Sequence, residues 1–368
     1  MEVQRLAFEN MHQLLQIVPR MAPGQDGVGD YGLTLARELR RRYALDTTFV
    51  GGAPNWQGAS EVEGFRVLNA SGQSGAGLAR LLKGLTSKGS TVMLNYVGPG
   101  YDRNSCPFWL LRGLKDWKMD RQQCRWITMF HELYSEGPPW TRSFWSNPVQ
   151  RHIAAGIARI SDVVVTSVGV MEKRLQEMVP VLRGRIDCVP VFSNVGETED
   201  SLATVHRKPW LAVFGSAGWR TRAYREFGRN LEAVCDALGV EQLIDIGPPL
   251  DFSPELSVVV KMCGRLDAAE VAGWLRQCRF GFVTYPSAWL GKSGIFAAYC
   301  AHGCIPLAPP ECRQTEIEIG GAVPVQYCDV VFPSADWPSL QRRVHDWYWP
   351  HSLQNQARRY IELFGSVQ

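Results

Sequence analysis

The 368-residue chain has no apolar run approaching the length that spans a bilayer, so no membrane-crossing helix is expected. It has little net charge: 39 basic against 36 acidic residues leave +3, too balanced for charge alone to imply a nucleic-acid partner. It has 10 cysteines but no C-x-x-C pair. Most sit in apolar runs such as "KMCGR" and "WLRQCRF" and read as buried, reduced thiols of a cytosolic protein. Cys300, His302, Cys304 and Cys312 crowd together, but they straddle a helix end and the next strand, so no metal site is expected there. The opening "MEVQRLAFENMHQLLQIVPRM" carries acids and only a short apolar stretch, unlike a secretory leader. A cytoplasmic location is the expectation. No solenoid-length repeat and no low-complexity segment occurs.

What is present is alternation. "HQLLQIVPR" (12–20) reads as a strand and "YGLTLARELRRRY" as a helix with Leu35, Ala36, Leu39 and Tyr43 on one face. "TTFVGG", "GFRVLNA", "STVMLNYVG", "CRWITMFHE" (124–132), "SDVVVTS" and "RIDCVPV" read as further strands separated by amphipathic stretches. The pattern restarts near residue 205 with "WLAVFGSAG". "AYREFGRNLEAVCDALG" reads as one helix closed by Gly239. "DAAEVAGWLRQC" reads as another, opened by the capping-box pair Asp267 and Glu270. Near-continuous apolar strands between helices imply parallel sheets covered on both faces. The fold class expected is α/β, with two doubly wound domains joined near "PVFSNVGETEDSLATVHRKP". The tail from "DWPSLQ" onward reads as helical, broken at Pro350.

Residues 26–32 read "DGVGDYG", in which Gly27, Gly29 and Gly32 spell G-x-G-x-x-G. A dinucleotide fingerprint puts its first glycine where the strand ends and an acid at the end of the second strand. Here the strand ends near Pro19, "FVGG" carries no acid, and Asp46 precedes that strand. An NAD(P)-dependent oxidoreductase is therefore the weaker alternative. What remains is a glycine-rich loop entering a helix, with Asp30 as candidate cap. Such a loop either receives an anion or is a tight turn with no ligand.

"TYPSAWLGKSGIFAAYCAHGCIPLAP" (284–309) resembles the donor segment of bacterial GT-B glycosyltransferases. "DGVGDYGLTLARELRRRY" resembles the N-terminal glycine loop and first helix of the group-1, family-4-like members. "VMLNYVGPGY", "ITMFHELY", "SDVVVTS", "AVFGSAG" and "CGRLDAAEVAGWLRQCRFGFVTYP" follow in the family's order, so the resemblance spans nearly the whole chain. It implies two Rossmann-like domains facing a central cleft: an acceptor domain (1–195), a nucleotide-sugar donor domain (196–340) and a helical tail (341–368) that can cross back to the first. One departure stands out. The glutamate pair that many members carry eight residues apart falls on Leu290 and Ala298.

The resemblance implies a glycosyltransferase moving a sugar from a nucleotide sugar to a hydroxyl of a glycan, a lipid-linked or a small-molecule acceptor. A non-catalytic nucleotide-sugar- or glycan-binding protein is the alternative that the missing glutamates support. There is no D-x-D clamp, so no metal and no cofactor are expected and protein groups must meet the diphosphate. Ser293 and Gly294 open a helix toward it, Lys292 adds a charge, and Arg220 in "SAGWRTR" adds a fork, with Arg222 weaker. Gly27 and Gly29 are placed near the donor, Arg265 and Leu266 hold the base, and Tyr285 lines the same pocket. His131, at the carboxyl end of a strand, and Asp30 are the catalytic candidates. Trp140, Trp145 and Trp289 read as packing or hinge residues more readily than as sugar platforms. "CPFWLLRGLKDWK" (106–118) reads as an amphipathic surface helix, with a peripheral membrane contact as the alternative.

Overall fold

The computed structural model describes residues 14–21, 26–70, 72–197, 207–314, 324–328 and 336–365. Residues 12 and 13 of the expected first strand and the acidic part of the expected joint, 198–206, lie outside the described residues. The chain divides into two compact units. The first comprises Met1–Ser167, Met171–Val189 and Ala357–Gln368, and the second Val168–Val170 and Pro190–Gln356.

Unit 1 is built on strands β1 (Leu14–Val18), β2 (Thr47–Gly51), β3 (Glu61–Val62), β4 (Phe65–Asn69), β5 (Thr91–Tyr96), β6 (Arg125–Phe130), β7 (Val163–Thr166) and β8 (Ile186–Cys188). Their order is β3-β4-β2-β1-β5-β6-β7-β8, and every pair is parallel except β3–β4. β1, β2 and β5 are buried along their whole length, as strands covered on both faces must be. The helices are α1 (Gly27–Tyr43), α2 (Gly75–Leu85), α3 (Gly98–Tyr101), α4 (Phe108–Asp120), α5 (Arg142–Ile160) and α6 (Gly169–Met178). α1 begins four residues earlier than the apolar spacing suggests, because Asp26 caps it: its side chain accepts from the Val28 amide at 3.1 Å. The glycine-rich stretch is therefore the first turn of a helix rather than a loop, and Asp30 lies inside that turn rather than at its cap.

Unit 2 holds β9 (Lys208–Phe214), β10 (Gln242–Ile246), β11 (Val259–Gly264), β12 (Cys278–Phe282), β13 (Ile305–Ala308) and β14 (Gln326–Tyr327), ordered β11-β10-β9-β12-β13-β14 and all parallel. The helix expected over "AYREFGRNLEAVCDALG" is two helices, α7 (Ala217–Arg225) and α8 (Gly228–Ala237). Gly228 interrupts helical propensity and Phe227 turns into the core at the break. α9 (Ala268–Gln277) carries the full capping box, with Asp267 and Glu270 each bonded to the other's backbone. α10 (Gly294–Ala301) and α11 (Trp337–Tyr348) follow, and a 3-10 turn at Trp349–His351 breaks the tail at Pro350. The last helix, α12 (Leu353–Gly365), leaves unit 2 and ends in unit 1.

Candidate functional site

Open parallel sheets bind ligands beyond the carboxyl ends of their strands, where the strand order reverses. In unit 1 that reversal lies at β1, which has β2 on one side and β5 on the other. Two fully buried polar side chains sit there, Gln16 on β1 and Asn95 on β5. Buried amides must be satisfied, and these are satisfied in a chain. Gln16 Nε2 donates to the Gly32 carbonyl at 3.3 Å, and Asn95 Nδ2 donates to Gln16 Oε1 at 3.2 Å. Asn95 Oδ1 then faces His131 Nε2 at 3.2 Å. The order of donors follows from one end: a backbone carbonyl only accepts, so each amide along the chain is oriented and His131 Nε2 must carry the proton. In the neutral ring Nδ1 is left as the acceptor atom. The Tyr31 ring edge meets the imidazole at 4.9 Å, and the Tyr31 hydroxyl bonds to that of Tyr360 on α12.

The glycines of "DGVGDYG" have separate reasons. A Cβ on Gly29 would stand 2.1 Å from the Arg20 carbonyl oxygen, so a side chain is excluded by the chain leaving β1. A Cβ on Gly32 would press on Gln16 and Val18, so this glycine sets α1 close to β1. Gly27 is exposed with open space beside it. Asp30 is exposed as well. Loss of solvation and the Asp26 carboxylate raise its pKa above the usual aspartate value, with Arg37 opposing. Glu132 is exposed beside His131.

In unit 2 the reversal lies between β9 and β12. Glycines end or follow three adjacent strands there: Gly215 after β9, Gly247 after β10 and Gly264 at the end of β11, all with positive φ. The Gly215 amide donates to the Ile246 carbonyl, and the Gly247 amide to that of Gly264. A Cβ on Gly247 would lie 2.1 Å from the Gly215 carbonyl, and one on Gly215 would strike Ile295 of α10. The loops after β9 and β10 thus touch at backbone distance, and the Ile295 side chain of α10 lies against Gly215.

Arg220 was expected to reach a phosphate from a loop. It lies instead on the inner face of α7 with Ala223 and Tyr224, and is 1% exposed. Its Nε and Nη2 donate to the two oxygens of the fully buried Asp245, at 3.0 Å for Nε, and its Nη1 donates to the Pro248 carbonyl. Tyr224 donates to the same carboxylate at 2.7 Å. Burial, and then the charge of Asp245, hold the Tyr224 hydroxyl well above its usual pKa. With its nitrogens engaged this way, Arg220 holds the loops after β9 and β10 together.

The chain after β12 runs through Tyr285 and a 3-10 turn (Ser287–Lys292) into α10. Ser293 is buried and caps the helix, its Oγ accepting from the Phe296 amide at 3.2 Å while its own amide donates to Leu290. That leaves the amides of Gly294 and Ile295, the first two of the helix, without an intrahelical partner. The Lys292 ammonium lies 5.5 Å from the centre of the Trp289 ring. Tyr285 stacks on Trp219 at 4.1 Å, and Arg222 lies over the other ring system of that pair at 5.6 Å from Trp219. Arg265 is exposed and Leu266 half-buried, directly after Gly264. Leu290 and Ala298 are both buried in apolar surroundings, which no glutamate pair would tolerate unpaired. His302 and Cys304 bond to backbone carbonyls, of Ala298 and Leu275, and no three metal-ligating side chains cluster among the described residues.

The structure therefore gathers Lys292, Ser293, Gly294 and Tyr285 about one end of the second sheet, and His131 and Asp30 about one end of the first. Gln16, Asn95, Trp219, Gly215 and Gly247 were not singled out from sequence. Gln16 and Asn95 did leave a signal, as lone amides inside otherwise apolar strands.

No family model matches the sequence, and no curated protein matches it. Solved structures do. An α,α-trehalose-phosphate synthase (UDP-forming) from Burkholderia vietnamiensis superposes with a TM-score of 0.61 at 13% identity, covering 97% of this chain and 99% of that one. The E. coli trehalose-6-phosphate protein bound with UDP-2-fluoro glucose gives 0.59 at 10% identity, over 97% and 99%. The lipopolysaccharide outer core galactosyltransferase WaaB gives 0.56 at 12% identity, over 95% and 99%. No helix among the described residues is long and apolar enough to cross a membrane. With two doubly wound parallel-sheet units and superposition along nearly its whole length on such enzymes, this chain has the GT-B glycosyltransferase fold.

Proposed function

We propose that the chain is a glycosyltransferase that moves a sugar from a nucleotide-sugar donor to a hydroxyl acceptor, with protein groups and no divalent ion meeting the diphosphate. One observation carries this reading. Ser293 satisfies only the third amide of α10, so the Gly294 and Ile295 amides are available to an anion where the second sheet reverses its order. Lys292 adds a cation at the same corner, and the Trp219–Tyr285 stack offers an aromatic wall. Arg265 and Leu266 follow the strand end that suits the base. His131 serves the acceptor hydroxyl as base through Nδ1, its tautomer held by Asn95. The structural neighbours support the reading through the UDP-sugar named with one of them.

A second reading, a binding protein without turnover, has one observation in its favour: Leu290 and Ala298 occupy the positions of the family's glutamate pair. The oxidoreductase reading loses support because β1 ends at Val18, well before Gly27, and β2 ends at Gly51 with no acid to hold a ribose.

The test uses a proline. Gly294 is the first residue of α10, its Cβ direction meets nothing closer than 3.7 Å, and Ser293 before it is extended (φ −89°, ψ 109°). Proline fits such a site and removes its amide donor. Thermal shifts against UDP, GDP, CDP and dTDP in EDTA should show stabilisation of the wild type and of Gly294→Ala by at least one nucleotide. Gly294→Pro should fold and lose most of that shift. Stabilisation by NAD(H) alone, or a shift indifferent to Gly294→Pro, contradicts the proposal.

A further inference from the structure

A second concavity lies wholly within unit 1. It measures about 600 Å³ and is lined by the loop after α3 and by the chain running from β6 into α5. That volume suits a small ligand. Trp140 and Trp145 stand at it and are 84% and 73% exposed, so packing does not account for them. Its polar wall is fixed rather than loose: the buried Gln150 accepts from the Ser135 amide at 2.7 Å and donates to Ser146 Oγ at 2.8 Å.

The charge here has one sign. Arg103 and Arg142 line the cavity, no carboxylate does, and neither arginine has an ion-pair partner among the described residues. The nearest acids in sequence are engaged elsewhere. Asp102 accepts from the Asn104 and Cys106 amides of its own loop, and Glu136 pairs with Arg174 at 2.9 Å. Indole faces beside hydroxyl and amide groups match a sugar ring, whose C–H face packs on an aromatic while its hydroxyls find polar partners. Two unpaired guanidinium groups add recognition of an anion.

We propose that this cavity binds a saccharide carrying a negative group, a phosphate or a carboxylate, with its ring against Trp140 or Trp145 and its charge at Arg103 and Arg142. Phe144, also exposed, packs edge-on against Trp145 at 5.4 Å, but a membrane-inserting patch would need a continuous apolar face, and here Thr141, Ser143 and Ser146 interrupt the aromatic residues. The inference rests on the transferase reading for one point only, that the saccharide is the acceptor.

Calorimetric titration of the full chain without nucleotide decides it, using glucose 6-phosphate, glucuronate, glucose and inorganic phosphate. At least one anionic sugar should bind tenfold or more tighter than both glucose and inorganic phosphate, and the better of the two names the anion. Arg103→Gln/Arg142→Gln should erase the preference for the anionic sugar. Trp140→Ala/Trp145→Ala should weaken that sugar about tenfold, with the circular dichroism spectrum and melting temperature kept. Equal affinity for charged and neutral sugars, or an affinity unmoved by the arginine pair, overturns the proposal. So does retention on phosphatidylglycerol vesicles without saccharide binding. Nucleotide stabilisation and its dependence on Gly294 are measured on the same preparations. Its failure removes the transferase reading and leaves the saccharide site standing, whereas failure of the titration does the reverse.

Discussion

At the scale of single residues, the histidine at the end of β6 has its tautomer set three hydrogen bonds away, by the carbonyl of Gly32. Nitrogen NMR of histidine-labelled protein above neutral pH should find His131 protonated at Nε2 and bare at Nδ1. The opposite assignment contradicts the amide chain. Asn95→Leu removes the acceptor, leaves Gln16 unsatisfied, and should cost about 1–3 kcal/mol of stability along with the tautomer preference. A second histidine gives a pH prediction. Burial holds His302 down to about 4 from an ordinary 6.5, the Ala298 carbonyl opposing. The fold favours the neutral ring, so its contribution is complete above pH 6.5 and lost as pH falls toward 4. His302→Gln should flatten the melting temperature against pH across that window. A slope equal to the wild type's contradicts the assignment. Arginines were harder to read than histidines. Arg220 looked like a loop cation because α7 was expected to begin at Ala223; starting at Ala217, the helix turns Arg220 inward with Ala223 and Tyr224. Nothing in its immediate sequence names Asp245, its partner 25 positions on.

Among the elements, the buried pair between α7 and β10 holds the two glycine loops that the start of α10 abuts. Removing one partner strands a charge, so Arg220→Met should lower stability by about 3–5 kcal/mol, while Arg220→Met/Asp245→Leu recovers part of it in chemical denaturation. A double variant no more stable than the single one contradicts the ion-pair account. Elements with strong local signals were legible from sequence. The capping box at Asp267 and Glu270, the left-handed Gly239 after α8 and the Pro350 break all lie where their chemistry put them. α1 was misjudged because its first turn is glycine-rich and its cap, Asp26, precedes the apolar spacing. Gly29 and Gly32 there are explained by Arg20, Gln16 and Val18 of the preceding strand and its exit, which no helical spacing contains, whereas Gly27 has open space beside it.

For the whole molecule, alternating apolar strands and amphipathic helices were enough to indicate two parallel α/β units, because parallel strands buried on both faces leave no other pattern. Which unit the tail joins depends on packing of Tyr360 against Tyr31, and sequence periodicity does not carry that. The exposed tryptophans were likewise opaque, since exposure is a property of the folded surface. The most direct measurement of the central claim follows nucleoside diphosphate release. Purified protein in EDTA is incubated with UDP-, GDP-, CDP- and dTDP-sugars, with and without the anionic sugar that binds best. The account predicts release from at least one donor, stimulated by that acceptor and lost in Gly294→Pro. Binding of a nucleotide sugar with no release under any pairing would contradict it and leave a protein that holds its donor without transferring it.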